Sequence, residues 1–473
     1  MNSLSTKKVS TQHRWITRAV VLASGIGVYL LFQTYLTNAL GLPPQQSPIP
    51  ERSTAENLQI EATAPPAIAS EPRGTEPDLL AQATLAAIPL HSQALMKAMD
   101  ETVWPPAAVF NPTVPKGLES AVRFWEMIYA SFDSNQVVFH DTKDLSLVYS
   151  VLDFNELMAA PNLSAVAKEK YRNRAVAEEE NRIYATLQKL ADDPKVALDN
   201  PRDRSIRNLL GPNIKSDEIR RLADTDRIRS QTGLKDRFAR ALATSGLYMK
   251  EIENIFSSYG LPRPLTRMVF VESMFRLDAV SHSGAVGLWQ FMRGTAKHYM
   301  TVNNYIDERY DPFVATHAAA RLFMENYREL KSWPLAINAY NVGRGRMHQA
   351  VNQLGTTDIT TIIHHYSHPD YGFASRNFYP EFLAAYRVEQ NSHHYFGNIE
   401  MRPSLEYDVV DLPKGVRLTD IASLTGVPTD NLYILNPALS HSWWRDSRPL
   451  PAHSRVRVPK GTAFRVEESF AAR

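Results

Sequence analysis

Glu272 stands where a carboxyl group could both give and take a proton. The segment Leu265-Thr266-Arg267-Met268-Val269-Phe270-Val271-Glu272-Ser273 follows Pro262 and Pro264, which suit a helix entrance, and predicts a helix with Glu272 at its far end. Leu265, Met268 and Val269 stand seven, four and three residues before it. Helical spacing therefore puts the carboxylate on one stripe with these apolar side chains. Burial there disfavours the charged form and raises the pKa, as a general acid working near neutral pH requires. The same spacing also fits a glutamate at a helix end that simply reaches solvent. Spacing alone leaves both readings open.

Two further segments carry polar groups that could serve such an acid. Residues 280–292 mix turn-formers with apolar anchors: Gly284 and Gly287 permit positive φ or close backbone approach, while Leu288 and Trp289 can pin the loop. Trp289 reads as core packing. Gln290 offers an amide with both donor and acceptor, which suits the amides and hydroxyls of a sugar. Trp333-Pro334-Leu335-Ala336-Ile337-Asn338-Ala339-Tyr340-Asn341-Val342-Gly343 predicts a helix with proline in its first turn and glycine past its end, leaving Tyr340 and Asn341 at the exit. Asp278, Asp307, Glu308 and Asp311 read as solvated or structural loop carboxylates rather than as a second catalytic acid. His364 and His368 are four apart beside His365, but no acidic partner at metalloprotease spacing accompanies them and Pro369 follows at once. Neither a metal site nor a cofactor is expected.

The elements that position these groups belong to a chain of several modules, since 473 residues exceed one ordinary core. Apolar residues at 44% and charged residues at 22% are ordinary for globular protein. With 52 basic against 50 acidic side chains the net charge is +2, so no global field exists to hold a nucleic acid. The absence of cysteine excludes disulfides, thiolate metal sites and thiol nucleophiles.

Residues 1–13 carry Lys7, Lys8 and His13, and Arg14 and Arg18 precede an uncharged run over residues 19–42. That run is long enough to cross a bilayer as a helix, and its positive flank predicts a cytoplasmic N-terminus. Residues 14–42 are therefore expected to be a membrane anchor, or else a cleaved signal segment, with the remainder exported. Residues 43–77, rich in Pro, Ala, Ser, Gln and Glu, read as an extended tether. Residues 78–240 show amphipathic patterns around Val122, Phe124, Trp125, Ile128 and Tyr129 and predict a helical support region. Helical patterns continue over 241–390, the unit that holds Glu272. Beyond Arg402-Pro403 the pattern changes: Tyr407 and Val409 alternate with polar neighbours, as do Val456 and Val458. Between them lie two short helices that Thr419 and Thr429 could cap, which gives a βααβ order over 406–465.

Glu272-Ser273, Gly287-Leu288-Trp289-Gln290 and Ala339-Tyr340-Asn341, in this order, resemble the lysozyme-like soluble lytic transglycosylase family, in particular its membrane-bound murein-cleaving branch. The likeness extends through Asp307-Glu308-Arg309-Tyr310-Asp311-Pro312 and covers roughly residues 261–386; residues 122–149 resemble the segment preceding the domain in one branch. The resemblance implies a mainly α fold: a lysozyme-like catalytic domain, a helical N-terminal region and a small C-terminal βααβ domain. It also implies that Glu272 is the acid and base of peptidoglycan strand cleavage. Ser281 matches a serine thought to orient the N-acetylmuramyl unit, Gln290 a substrate-contacting amide, and Tyr340 with Asn341 the pair lining the cleft. The products implied are 1,6-anhydromuramyl ends, formed with one acid and without water. A fourth motif departs from the pattern: Phe373-Ala374-Ser375-Arg376-Asn377-Phe378-Tyr379-Pro380 has Phe378 where a tyrosine is expected, with Tyr379 as the fallback.

The C-terminal βααβ segment, with Asn436-Pro437, resembles a LysM domain, which implies binding of N-acetylglucosamine-containing glycans. The implied partners are peptidoglycan strands and, through the N-terminal segment, the inner membrane, with the folded domains in the periplasm. A goose-type lysozyme hydrolase using the same acid and a non-catalytic glycan-binding scaffold are the competing functions.

Overall fold

The computed structural model describes residues 110–224, 226–439 and 448–471. The basic flank, apolar run and tether expected over residues 1–77 lie outside the described residues. None of the described helices is long and apolar enough to cross a membrane.

The chain opens with helix α1 (Glu119–Ala130), then strands β1 (Gln136–Asp141) and β2 (Val148–Asp153), helices α2 (Asn155–Ala159), α3 (Ala165–Asp192), α4 (Pro201–Leu210) and α5 (Ser216–Leu222), and strand β3 (Ile228–Thr232). Local chemistry sets the boundaries. Ser164 caps α3 by accepting from the Ala167 N–H at 3.2 Å, and Asn200 caps α4 ahead of Pro201 at its first position. The strands form one antiparallel sheet in the order β2-β1-β3, with Val138 opposite Val151 on one side and Gln231 on the other. The helical region expected over 78–240 thus carries a three-stranded sheet among its helices, within its described residues. Period two explains the sheet's place: Val137 and Phe139 enter a core with Ile183, Leu187 and Ile206 of α3 and α4, while Val138 turns to the core that holds Glu272's helix. With both faces of β1 buried, its sequence shows an apolar run instead of an alternation.

The central unit comprises α6 (Lys235–Ser245), α7 (Met249–Ser258), a 3₁₀ turn (Arg263–Arg267), α8 (Met268–Glu272), α9 (Arg293–Ala296), α10 (Pro312–Leu330), α11 (Trp333–Val342), α12 (Arg344–Leu354), α13 (Ile359–His365), α14 (Phe373–Gln390) and α15 (Ser392–Phe396). Its core includes Phe238, Phe256, Phe270, Trp289, Phe323 and Phe382, all fully or almost fully buried. Helix α1 packs against α14 in the same core, so it belongs structurally to the central unit.

The C-terminal unit consists of β4 (Tyr407–Asp411), α16 (Leu418–Thr425), α17 (Thr429–Leu435), β5 (Arg455–Pro459) and α18 (Ala463–Ala471). The strands are antiparallel, Val409 facing Arg457. The βααβ order is present, with one helix beyond it whose Val466 is buried in the unit's core. Thr419 and Thr429 lie inside the helices they were expected to cap: Arg417 and Pro428 hold the cap positions. The unit docks firmly on the central one. Asp311, 5% exposed, takes both terminal nitrogens of Arg457, 8% exposed, whose guanidinium lies 5.2 Å from the rings of Phe313 and of Tyr407. The Asp307 N–H donates to the Ala438 carbonyl at 2.8 Å, and the preceding linker is tied down by the Arg402 and Leu405 N–H groups, which donate to Ala243 and Leu247.

Candidate active site

Pro262 and the 3₁₀ turn lead into the short α8, and Arg267, buried at the junction, pairs with Glu253 on α7 and Glu389 on α14. Leu265, Met268 and Val269 are wholly buried on the stripe that carries Glu272. The helix stops at Glu272. Met274 (φ 50°) and Phe275 (φ 60°) are both left-handed, a conformation that breaks the helix and is costly for side-chain-bearing residues. Ser273, fully buried, donates through Oγ to the Leu288 carbonyl at 2.8 Å and so ties the end of α8 to the 280–291 loop.

That loop is built from backbone constraints. Gly287 has φ +81°, and a Cβ on it would lie 1.9 Å from the Arg309 carbonyl oxygen, so only glycine fits. Arg309 in turn donates to the Gly284 and Phe291 carbonyls and pairs with Asp307. Trp289 is fully buried, stacked on Phe256 at 5.4 Å, and donates to Thr316 Oγ1 at 2.8 Å. Gln290 (φ 48°) donates through Nε2 to the Ala279 and Gly287 carbonyls at 3.1 and 2.8 Å. Its amide nitrogen is therefore occupied in holding the loop. Ser281 Oγ accepts from the Ala285 N–H at 2.9 Å, another contact internal to the loop. Tyr340, at the exit of α11, donates to the Trp289 carbonyl at 2.9 Å and stacks on Phe323 at 4.8 Å. Asn341 is exposed beside it and accepts from Ser375 Oγ at 3.2 Å. His364, on α13, contacts the Gly117 carbonyl through Nε2 at 3.1 Å.

Burial raises several carboxyls of this unit, Glu308 to about 7 and both Glu272 and Glu381 to about 8. For Glu272 the causes are burial and then the negative charge of Glu381 on α14. Glu381 is itself pushed up to about 8 by burial, against the pull of Arg229. Both residues are part-buried rather than sealed in the core. Burial followed by the charge of Glu272 holds the Tyr340 hydroxyl well above its ordinary range; for Tyr129 on α1 the causes are burial, then Glu381, then Glu272. Tyr129 and Glu381 are neighbours of Glu272 that the motifs do not mark. Tyr379 is buried and its hydroxyl is raised by burial alone, so the second tyrosine sensing Glu272 comes from α1 rather than from the fourth motif.

Residues 253–363 match the Transglycosylase SLT domain family, and residues 406–472 match the Lytic transglycosylase MltD, LysM-like domain family. The chain carries a transglycosylase SLT domain and an MltD-type LysM-like domain. Glu272, Ser281, Gln290, Tyr340 and Asn341 all fall within the first match, whereas Tyr129, Arg229 and Glu381 lie outside it. Membrane-bound lytic murein transglycosylase D of Escherichia coli is 27% identical over 228 residues, 47% of this chain and 49% of that protein. The chain spans about half the length of the curated relatives it matches. Among solved structures, an inactive mutant of the lytic transglycosylase Slt from Pseudomonas aeruginosa aligns over 54% of this chain and 39% of its own at 17% identity and TM-score 0.28. The 70 kDa soluble lytic transglycosylase of Escherichia coli aligns over 68% and 43% at 15% identity and TM-score 0.23.

Proposed function

We propose that this chain cleaves the β-1,4 bond between N-acetylmuramic acid and N-acetylglucosamine in peptidoglycan strands, leaving 1,6-anhydromuramyl ends, with Glu272 as the one acid and base. The observation that carries this reading is a glutamate ending a buried helix, held near 8 by desolvation, so that it is protonated at neutral pH. Its proton passes to the glycosidic oxygen as the bond from the muramyl C1 breaks, and the substrate's own N-acetyl oxygen holds C1. The Glu272 carboxylate then takes the proton of the muramyl 6-hydroxyl while that oxygen closes onto C1. The acid is restored and no water is consumed.

A hydrolase reading has one specific observation in its favour, the second carboxyl Glu381. Inverting hydrolysis needs an ionised base about 6.5–9.5 Å from the acid to activate water. With Glu381 held up to about 8, its carboxyl is mostly protonated at pH 7 and poorly suited to that task. Ser281, Gln290, Tyr340 and Asn341 are assigned contact with the substrate, a reading supported by the loop that Ser281 and Gln290 shape and that Tyr340 joins to α11 through the Trp289 carbonyl. The LysM-like unit is assigned glycan binding, and the N-terminal segment an inner-membrane anchor that leaves the folded units in the periplasm. Mass spectrometry of digested glycan strands tests the chemistry: anhydro ends are one water lighter than reducing ends. Reducing ends alone would move the assignment to a hydrolase, and undigested strands that still bind would make the chain a scaffold.

A further inference from the structure

Strand β3 places Arg229 opposite His140 of β1, with its guanidinium 4.5 Å from the ring of Phe373 at the start of α14. Asn377 and Glu381 follow Phe373 four and eight residues on, along one face of that helix. Asn377 accepts from the Trp125 indole at 2.9 Å, and Tyr129 stands one turn beyond Trp125 on α1. The Tyr129 ring lies 5.3 Å from Phe238, which stacks at 4.9 Å on Phe270, two residues before Glu272. A row of side chains therefore leads from Arg229 to Tyr129, whose hydroxyl feels the charges of Glu381 and Glu272.

Two members of that row have unspent hydrogen-bonding capacity. Arg229 is half-buried, its Nε is buried without a partner, and among the described residues its guanidinium makes no hydrogen bond or ion pair. Arg267, Arg309 and Arg457, by contrast, each hold a carboxylate. Glu180 takes the Ser230 hydroxyl, and Glu381 attracts Arg229 from beyond contact. Tyr129 is 2% exposed, and among the described residues nothing hydrogen-bonds its hydroxyl. Stacking on Phe373 offsets only part of the cost of a desolvated cation. A planar guanidinium left open in this way matches a carboxylate in two-point geometry.

We propose that Arg229, presented from the N-terminal sheet beside Tyr129 and Glu381, binds a carboxylate of the substrate, so that the N-terminal unit contributes to recognition at the cleft. The assignment rests on the glycan-cleaving reading. The muramyl unit offers such a group in two ways: its lactyl carboxyl is free on peptide-stripped strands, and the peptide stem carries carboxylates of its own.

The test measures binding in a Glu272→Gln background, where ligands are not turned over. Three ligands are compared by titration calorimetry: peptide-stripped glycan oligomers, stem-bearing oligomers, and chitooligosaccharides, which lack carboxyls. Arg229→Gln is expected to weaken one or both of the first two by about tenfold or more, the loss of one charge-assisted contact, and to spare the third. The ligand that suffers identifies the source. Methyl esterification of the ligand carboxyls should cost the same factor with Arg229 present and nothing in Arg229→Gln, and the Arg229-intact measurement does not depend on the variant folding. Equal loss on all three ligands, or no effect of esterification, overturns the assignment. Turnover of sacculi by the wild-type chain tests the cleavage reading separately: cutting without carboxylate discrimination sinks Arg229 alone.

Discussion

Replacing Glu272 by glutamine should abolish glycan cleavage and at the same time stabilise the protein in a pH-dependent way. The native carboxyl titrates near 8, well above its ordinary value of 4.5, because burial opposes its charge. Between those two pH values the native state holds a proton that the unfolded state has released. Stability from this group is therefore complete below the unfolded pKa and lost as pH rises toward the folded one. At pH 7 the linkage amounts to at most about 3 kcal/mol, and partial solvent access to the cleft reduces it to about 1–3 kcal/mol. Glutamine keeps the shape of the protonated acid and carries no charge to desolvate. Urea denaturation of both proteins from pH 4 to pH 8 should show a difference near zero at the acid end that grows in favour of Glu272→Gln with pH. Wild-type cleavage should correspondingly fall as pH rises through about 8, where the acid form is lost. A stability difference that does not change with pH would refute the desolvated carboxyl. Undiminished turnover in the folded variant would refute its role as proton donor.

Gln290→Ala removes two hydrogen bonds to loop carbonyls and leaves alanine at φ 48°, so it should lower stability by about 1–3 kcal/mol along with activity, as read by thermal melting and turnover per folded molecule. Gly287→Ala should be worse, because its Cβ would meet the Arg309 carbonyl at 1.9 Å; displacing that backbone is expected to cost about 3 kcal/mol or more, visible as a lowered denaturation midpoint. Arg457→Met strands Asp311 without its partner and should cost about 3–5 kcal/mol, and Arg457→Met with Asp311→Asn should recover part of that loss; the two unfolding curves check it.

The stripe that carries Glu272 was readable because Leu265, Met268 and Val269 are all buried as the spacing demands, although Leu265 lies in the 3₁₀ turn and α8 itself spans only Met268–Glu272. The glycine constraint in the 280–291 loop was readable too, although only the fold shows what approaches Gly287. The small sheet was hidden because β1 is buried on both faces and so lacks alternation. Gln290 displayed hydrogen-bonding capacity in sequence and Ser281 was marked by the resemblance, but neither signal names a partner, and both groups contact the loop itself. Tyr129, Arg229 and Glu381 come from three separate elements that meet only on folding. For Glu381 a trace existed in its spacing from Phe373 and Asn377, yet no local pattern told which face of α14 meets the cleft.

Arg457 shows how an outward position acquires a structural role. Alternation along β5 points Val456 and Val458 into the core of the LysM-like unit and Arg457 away from it. That outer face is the one turned toward Asp311, which also caps α10 by accepting from the Phe313 and Val314 N–H groups. From Asp307 and Arg309, a few residues earlier, contacts run to Ala438 on one side and to the Gly284 and Phe291 carbonyls on the other. A module on a free tether would act by raising local concentration alone. Here the same short segment grips both the LysM-like unit and the loop beside Glu272, so a strand held by the one would meet the other in a fixed orientation. A buried ion pair adds little net stability over an apolar contact, and its better-attested use is to select one register among several. The Arg457–Asp311 contact therefore fits a role in setting the geometry between the two units more closely than a role in holding them together.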